Sequence, residues 1–154
     1  MELEMKGANS DARSRRTLRA FLRRSHLHPP SILTPPQQSH AVIAGPNIFV
    51  SGCIPADASG ALVTGSIATQ TAACCENIKA ILAEAGADMT RVVKVNVFLT
   101  DMGNFAEMNG VYAEYFAHKP ARSCVAVKEL PKGVPVEIEC VAYLGKKREG
   151  GTKL

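Results

Sequence analysis

The sequence predicts a single α+β domain in which two helices pack on one face of a mixed β-sheet. Short stretches rich in β-branched residues alternate with two longer segments whose apolar residues recur every three or four positions. Their order along the chain is a hairpin, a helix, a strand, a second helix and two final strands, with no internal repeat. A chain of 154 residues is long enough to bury one core of this kind.

The first elements are a hairpin and an amphipathic helix. Residues 41–44 and 48–51 are short apolar runs, and the turn sequence Gly45-Pro46-Asn47 separates them. From Ser66 onward the apolar spacing changes to steps of three and four, which predicts a helix with a buried stripe. The stripe consists of Ile67, Thr71, Cys74, Ile78, Ile81 and Ala85. Gly86 is expected to end this helix.

A strand and a second helix follow. Residues 91–100 alternate in character, and one face is expected to carry Val93, Val95, Val97 and Leu99. Asn104 is then expected to cap the second helix, with Glu107 completing a capping box. The spacing predicts a buried stripe on this helix, formed by Phe105, Met108, Tyr112 and either Tyr115 or Phe116.

Two strands end the domain, at residues 123–127 and 136–143, and a turn rich in Pro and Gly connects them. In the last strand one face carries Val136, Ile138, Cys140 and Ala142. The other face carries Glu137, Glu139, Val141 and Tyr143. A strand face with two carboxylates, a Val and a Tyr is typical neither of a core nor of a solvent-exposed surface. This composition indicates a face that covers another group.

The positive charge of the chain is confined to its N-terminus. Residues 1–33 contain seven Lys or Arg against three acidic residues, and the rest of the chain balances eleven against eleven. The rest of the chain therefore has no excess positive charge to attract nucleic acid. The Arg-rich segment 1–33 fits either a disordered basic extension or a mitochondrial leader, so the expected location is the mitochondrion or the cytoplasm, not outside the cell. The expected domain is 34–145, followed by a flexible basic tail at 146–154.

Cysteine usage and hydropathy exclude several classes of protein. The five Cys are scattered and include no C-x-x-C spacing, so neither a zinc site nor a disulfide framework is expected. An odd number of scattered Cys suits a reducing compartment. No window holds the ~18 uninterrupted apolar residues of a membrane span, and no membrane association is expected.

Four residues near the C-terminus are candidates for chemistry. Arg122 lies where a loop becomes a strand, and its planar guanidinium suits a carboxylate ligand. The sequence alone favours a simpler role for it, a salt bridge to Glu137 or Glu139. A carboxyl group on a half-buried strand can act as a general acid or base if its pKa is raised. Cys124 is a weaker candidate nucleophile, because no His lies near it in the sequence.

Several stretches together form a specific signature. They are Val50-Ser-Gly-x-Ile-Pro55, Asn77-Ile-Lys-Ala-Ile-Leu, Val92-Val-Lys-Val-Asn-Val-Phe-Leu-Thr-Asp101, Phe105-x-x-Met-Asn109, Pro120-Ala-Arg-Ser-Cys-Val-x-Val, Leu130-Pro-Lys-Gly and Val136-Glu-Ile-Glu. With this signature, residues 34–145 resemble the RidA/YjgF family of imine deaminases.

The resemblance implies a chorismate-mutase-like fold, a homotrimer, and sites in the clefts between subunits. It also implies hydrolysis of 2-imino acids or their enamine tautomers, such as 2-aminoacrylate and 2-iminobutanoate, to 2-keto acids and ammonia, without a metal or organic cofactor. By resemblance, Arg122 binds the substrate carboxylate and Glu137 handles the water. Cys124 contributes backbone contacts, and Gly52 lines the pocket.

The sequence departs from the family pattern before the first hairpin strand. Where the family carries Gly-Pro-Tyr-Ser-Gln-Ala, this chain has Pro36-Gln-Gln-Ser-His-Ala41. Gln38 thus replaces a pocket Tyr and could hydrogen-bond a water or the substrate. His40 is expected at the surface, and Cys53 replaces a Gln near the pocket.

These departures keep a second function open. A catalytically altered member could bind small metabolites or act on an imine within a biosynthetic pathway. Some relatives carry names of ribonucleases or translation inhibitors, but the charge-neutral domain, without a basic groove or stacking aromatics, disfavours that activity.

Overall fold

A computed structural model describes the backbone of residues 25–27 and the whole of residues 39–145. The strands are β1 Ser25–Leu27, β2 Ala41–Ala44, β3 Asn47–Cys53, β4 Val92–Leu99, β5 Ala121–Ala126 and β6 Val136–Tyr143. The helices are α1 Ile67–Glu84 and α2 Phe105–Tyr115. From β2 onward the elements follow the order that the sequence predicts, whereas the strand β1 was not predicted.

The strands form one mixed sheet in the order β1-β2-β3-β6-β4-β5. Neighbouring strands are antiparallel except β4 and β5, which are parallel because α2 crosses over between them. The predicted α+β class with a mixed sheet is therefore confirmed. Strand β1 lies within residues 1–33, where an extension or leader is expected. The other residues of that segment and residues 146–154 lie outside the described part of the chain, so the domain limits stay a prediction.

Both helices cover the same face of the sheet. The alternate residues of β6 that were expected to be buried are each at most 3% exposed: Val136, Ile138, Cys140 and Ala142. Helix α1 packs on β3 and β6 and also against α2. The predicted stripes are in the core, and Gly86 follows the C-cap of α1 with a φ of +76°, a backbone conformation that favours glycine. Within the described residues, neither helix combines the length and apolarity needed to cross a bilayer.

The predicted capping box at α2 is wrong. A 3₁₀ turn, Met102–Asn104, precedes the helix and is capped by Asp101, whose Oδ1 accepts a hydrogen bond from the Gly103 N–H at 2.8 Å. Asn104 therefore already has helical torsion angles and makes no capping hydrogen bond. Glu107 instead reaches across to α1, where its Oε1 accepts a hydrogen bond from the Ala68 N–H at 3.2 Å. One helix thus supplies a carboxylate to the N-terminus of the other.

The expected inward face of β4 is also wrong at one position. The pairing with β6 shifts register between Val92 and Lys94, so the strand contains a bulge at Val93. Val92 is buried at the start of the strand, and Val93 is 50% exposed. Beyond the bulge the alternation follows the prediction.

The opposite face of the sheet carries a mixture of apolar and charged side chains. This open face comprises Phe49, Lys94, Asn96, Phe98, Val125, Glu137, Glu139, Val141 and Tyr143. Phe49 and Val125 are 46% and 48% exposed. Exposed apolar residues grouped on one sheet face are typical of a surface that another molecule covers.

Candidate functional site

Arg122 lies on β5, the edge strand, and its side chain points to the helix face of the sheet. The pairing Val95↔Arg122 fixes this direction, because Val95 is a core residue. One guanidinium nitrogen, Nη1, donates a hydrogen bond of 2.6 Å to Oδ1 of Asn109 on α2. The guanidinium carbon lies 4.6 Å from the ring centroid of Tyr112 and 5.5 Å from that of Phe105. Arg122 is therefore held by one amide and two ring faces.

The positive charge of Arg122 has no carboxylate partner within the described residues. The interpretation that it forms a salt bridge with Glu137 or Glu139 is wrong for a single chain. Val95 lies opposite Cys140, so Arg122 shares the face of Cys140, whereas the two Glu residues point to the open face. A half-buried guanidinium without an anion is suited to bind one.

Glu137 is half-buried on the open face, opposite Phe98 of β4. Burial raises the pKa of its carboxyl group above the ordinary value, and the neighbouring charge of Glu139 adds to the effect. Glu139 is engaged differently, because its Oε1 accepts a hydrogen bond from Nδ2 of Asn96 at 2.8 Å. Of the two carboxylates, Glu137 is therefore better suited to exchange a proton.

Gly52 makes room for the carboxylate of Glu137. It lies in a bulge of β3, where the pairing with β6 shifts register between Val50 and Cys53. A Cβ built on Gly52 would overlap Oε1 of Glu137. The absence of a side chain at position 52 thus lets the Glu137 carboxylate lie against the β3 backbone.

Gly52→Ala is expected to displace the Glu137 carboxylate while the fold is retained. The overlapping atom is the end of a flexible side chain and the Gly52 backbone does not require glycine, so the melting temperature should change little. A displacement of about 1 Å can reduce a rate by roughly a hundredfold, so kcat for a reaction that uses Glu137 should fall by ~10- to 100-fold. Gly110→Ala on α2 is the matched control, because no atom lies within 4 Å of its added Cβ. Unchanged kcat in Gly52→Ala would contradict this role of Gly52.

Within one chain the candidate residues form two separate groups. The arginine half-site consists of Arg122 and Cys124, which lie two residues apart on the helix face of β5. The glutamate half-site consists of Glu137 and Gly52 on the open face. A small ligand cannot contact Arg122 and Glu137 of the same chain through an intact sheet. A site that uses both residues needs a second copy of the chain.

The thiols are poor nucleophiles. Burial raises the pKa of the Cys124 thiol, and the positive charge of Arg122 only partly opposes this. The other four Cys are buried free thiols: Cys53, Cys74, Cys75 and Cys140. A nucleophilic Cys124 is therefore disfavoured, because the thiolate is the reactive form. No group of three or more potential metal ligands occurs among the described residues.

The structure describes His40 and Cys53, two of the positions at which the sequence departs from the family pattern, but not Gln38. Gln38 lies outside the described residues, so its contact with a substrate stays a prediction. His40 was expected at the surface but is only 8% exposed, because it adjoins β2 and its carbonyl accepts a hydrogen bond from the Ser51 N–H at 2.9 Å. Cys53 is buried in the core on the helix face, whereas Glu137 lies on the open face.

Two residues that hold Arg122 were not recognised from the sequence as part of the site. Asn109 and Tyr112 contact the guanidinium of Arg122, and with Phe105 they follow an i, i+4, i+7 spacing that places them along one side of α2. Tyr112 was expected only as a core residue. The sequence does contain a signal for this role, because the amide of Asn109 lies between two aromatic residues on the same predicted stripe.

Comparison with known proteins gives consistent matches. The family model described as Endoribonuclease L-PSP matches residues 31–144. Protein HMF1 of Saccharomyces cerevisiae is 51% identical over 105 residues, covering 68% of this chain and 81% of HMF1. The mitochondrial protein MMF1 of the same yeast is 47% identical over 114 residues, covering 71% of this chain and 79% of MMF1.

A solved structure agrees in fold. The crystal structure of Escherichia coli TdcF with bound serine has a TM-score of 0.71 and 32% sequence identity, covering 77% of this chain and 98% of TdcF. The resemblance that the sequence motifs indicate is confirmed, and the single domain with a mixed sheet and two helices matches that of solved relatives. The chain therefore belongs to the endoribonuclease L-PSP family, the group that includes the RidA, YjgF and RutC proteins.

Proposed function

We propose that this protein hydrolyses reactive 2-imino acids, or their enamine tautomers, to 2-keto acids and ammonia. The observation that carries the proposal is the guanidinium of Arg122, which is held at a sheet edge without a carboxylate partner among the described residues. A 2-imino acid offers the matching anion beside a reactive C=N carbon. Two parallel hydrogen bonds from Arg122 to the substrate carboxylate would fix the position of that carbon.

The bound serine in the TdcF structure supports a carboxylate ligand. Serine carries the same α-carboxylate as a 2-imino acid and is of similar size. We therefore assign Arg122 to the substrate carboxylate. Cys124, on the same strand face, would contribute backbone contacts beside it.

Glu137 is the assigned general base. Its carboxylate removes a proton from water as the water oxygen bonds to the imine carbon and the C=N π electrons move to nitrogen. Glu137 returns this proton to the nitrogen, which gives a neutral carbinolamine. The hydroxyl proton of the carbinolamine then passes through Glu137 to the nitrogen, the C–N bond breaks with its electrons on nitrogen, and ammonia leaves as the C=O group forms. Water and imine are consumed, and keto acid and ammonia are formed. No electron acceptor is needed, and the substrate is reactive enough for this pair of residues to suffice.

The two half-sites would combine across an interface between subunits. We infer a homotrimer in which the arginine half-site of one subunit meets the glutamate half-site of the next. The exposed apolar residues of the open face support an assembly of this kind, because their burial between subunits would be favourable. The molecular mass in solution, measured by light scattering, tests the trimer.

The activity is tested with 2-iminobutanoate generated in the assay by an amino-acid dehydratase or oxidase. The release of 2-ketobutyrate is followed with and without the protein. The expected result is a release rate that rises in proportion to the concentration of the protein and exceeds the buffer rate. If the rate equals that of buffer at all protein concentrations, the deaminase proposal fails and a metabolite-binding role is favoured.

The acidic limb of the pH profile of kcat/KM is expected to reflect the ionisation of Glu137. The carboxylate is the active form, and a raised pKa keeps the group protonated to a higher pH. On acidification kcat/KM should therefore fall at a pH above that expected from the ordinary Glu pKa of about 4.3. Glu139→Gln removes one cause of the raised pKa and should shift this limb to lower pH. The same midpoint in both proteins would contradict the assignment of Glu137 as the base.

Ribonuclease activity is the competing function, since the matching family model carries that name. The part of the chain beyond residue 33 balances acidic and basic residues, which disfavours binding to a polyanion. RNA cleavage that persists in Arg122→Ala would point to a different site.

A mitochondrial or cytoplasmic location is supported by the Arg-rich residues 1–33 and by the mitochondrial relative MMF1.

A further inference from the structure

The side chains that contact the guanidinium of Arg122 in the described part of the chain are uncharged. Helix α2 presents Phe105, Asn109 and Tyr112 along one side, and each contacts the guanidinium. Asn109 accepts one hydrogen bond at 2.6 Å, and the two rings present their faces. Among the described residues no acidic side chain takes the place that a salt-bridge partner of Arg122 would occupy.

We propose that Asn109 and Tyr112 are positioning residues that orient the guanidinium of Arg122 while leaving its positive charge available to the substrate carboxylate. This inference rests on the function proposed above. It goes beyond that function by identifying what holds the anion-binding residue in place and what sets its affinity for an anion.

Asn109 can orient Arg122 without competing with the substrate because its amide is uncharged. An amide oxygen accepts one of the five N–H donors of a guanidinium and leaves the others free. A carboxylate at the same place would form charge-assisted, bidentate hydrogen bonds and would compete with the substrate for the same donors. The 2.6 Å hydrogen bond from Nη1 thus fixes the orientation of the fork without neutralising it.

Tyr112 supports the guanidinium from its ring face. A ring face attracts a cation without occupying an N–H donor. The ring is itself fixed, because Tyr112 is 7% exposed and stacks on Phe116 with a centroid distance of 4.5 Å. Burial raises the pKa of the Tyr112 hydroxyl despite the opposing charge of Arg122, so the side chain stays neutral beside the guanidinium.

The first test is Asn109→Asp, which keeps the shape of the side chain and adds one negative charge. Binding of 2-ketobutyrate, the product keto acid, is measured by calorimetry. The expected result is a Kd at least ~10-fold above that of the wild-type protein, and in the hydrolysis assay a higher KM with a smaller change in kcat. Lys79→Gln is the matched control, since it changes the net charge by the same amount on an exposed part of α1 and should leave the Kd unchanged.

The second test separates the ring of Tyr112 from its hydroxyl. Tyr112→Leu, which removes the ring, should raise the Kd for 2-ketobutyrate several-fold more than Tyr112→Phe, which keeps it. Melting temperatures are measured in parallel, and all titrations are made well below the transition of each variant.

The outcomes distinguish this inference from the proposed function. A Kd and KM in Asn109→Asp within twofold of the wild-type values would overturn the positioning role, while deaminase activity that depends on Arg122 would still stand. Equal effects of Tyr112→Leu and Tyr112→Phe would overturn the role of the ring. A wild-type protein that neither binds the keto acid nor hydrolyses the imine would overturn both the inference and the proposed function.

Discussion

Arg122→Ala is expected to reduce the hydrolysis of 2-iminobutanoate to the buffer rate. Hydrogen bonds to charged groups contribute about 1.5–3 kcal/mol each, so losing two of them corresponds to a loss of roughly 10²-fold or more in kcat/KM. The loss of substrate orientation adds to this effect, because the imine carbon is no longer held near the attacking water. The measurement is the rate of 2-ketobutyrate release at several concentrations of the generating enzyme.

Arg122→Lys separates charge from geometry in the same assay. Lys keeps the positive charge but lacks the planar fork of donors, so we expect an activity between those of the wild-type protein and Arg122→Ala. Both variants should remain folded, since Arg122 lies on an edge strand and only part of its side chain is buried. Wild-type activity in a folded Arg122→Ala protein would exclude Arg122 as the carboxylate ligand.

Mixed oligomers of Arg122→Ala and Glu137→Gln chains are expected to regain activity that neither variant has alone. The expectation follows from the sheet register, which directs the two residues to opposite faces of one chain. If each site of a closed trimer takes Arg122 from one subunit and Glu137 from the next, every mixed trimer contains one site with both native residues. Its activity should be about one third of the wild-type value by this symmetry. Differently tagged chains allow the mixed species to be purified and assayed.

Trimers of wild-type chains and doubly substituted Arg122→Ala/Glu137→Gln chains provide the control. A trimer with a single wild-type chain contains no complete shared site and should be inactive. If each chain carried a complete site of its own, this trimer would keep about one third of the activity, and the mixed single variants would stay inactive. That pair of results would refute the shared site.

Much of the architecture was readable from local patterns. The stripe from Ile67 to Ala85 and the alternation from Val136 to Tyr143 each repeat with the period of one type of secondary structure. Burial of one face follows from such a period wherever the chain forms a core. The mixed sheet with two helices could therefore be predicted, as could the identity of the core residues.

Two predictions were wrong because the position of the residue depends on contacts with another helix or strand. Glu107 was assigned to the start of α2 by a local motif, but its carboxylate binds the first turn of α1. Val93 was placed inside by simple alternation, and a bulge that depends on the pairing with β6 turns it outward. Neither the neighbouring helix nor the partner strand can be read from these segments alone.

The order of the elements from β2 onward, the balanced charge beyond residue 33 and the candidate residues Arg122 and Glu137 can all be read from the amino-acid sequence. The fold was needed to show which face each of these two residues occupies, what holds Arg122, and why Gly52 lies beside Glu137. Periodicity tells which residues of one strand share a face, but the face of one strand relative to another depends on hydrogen-bond register, and register is set by contacts between distant parts of the chain.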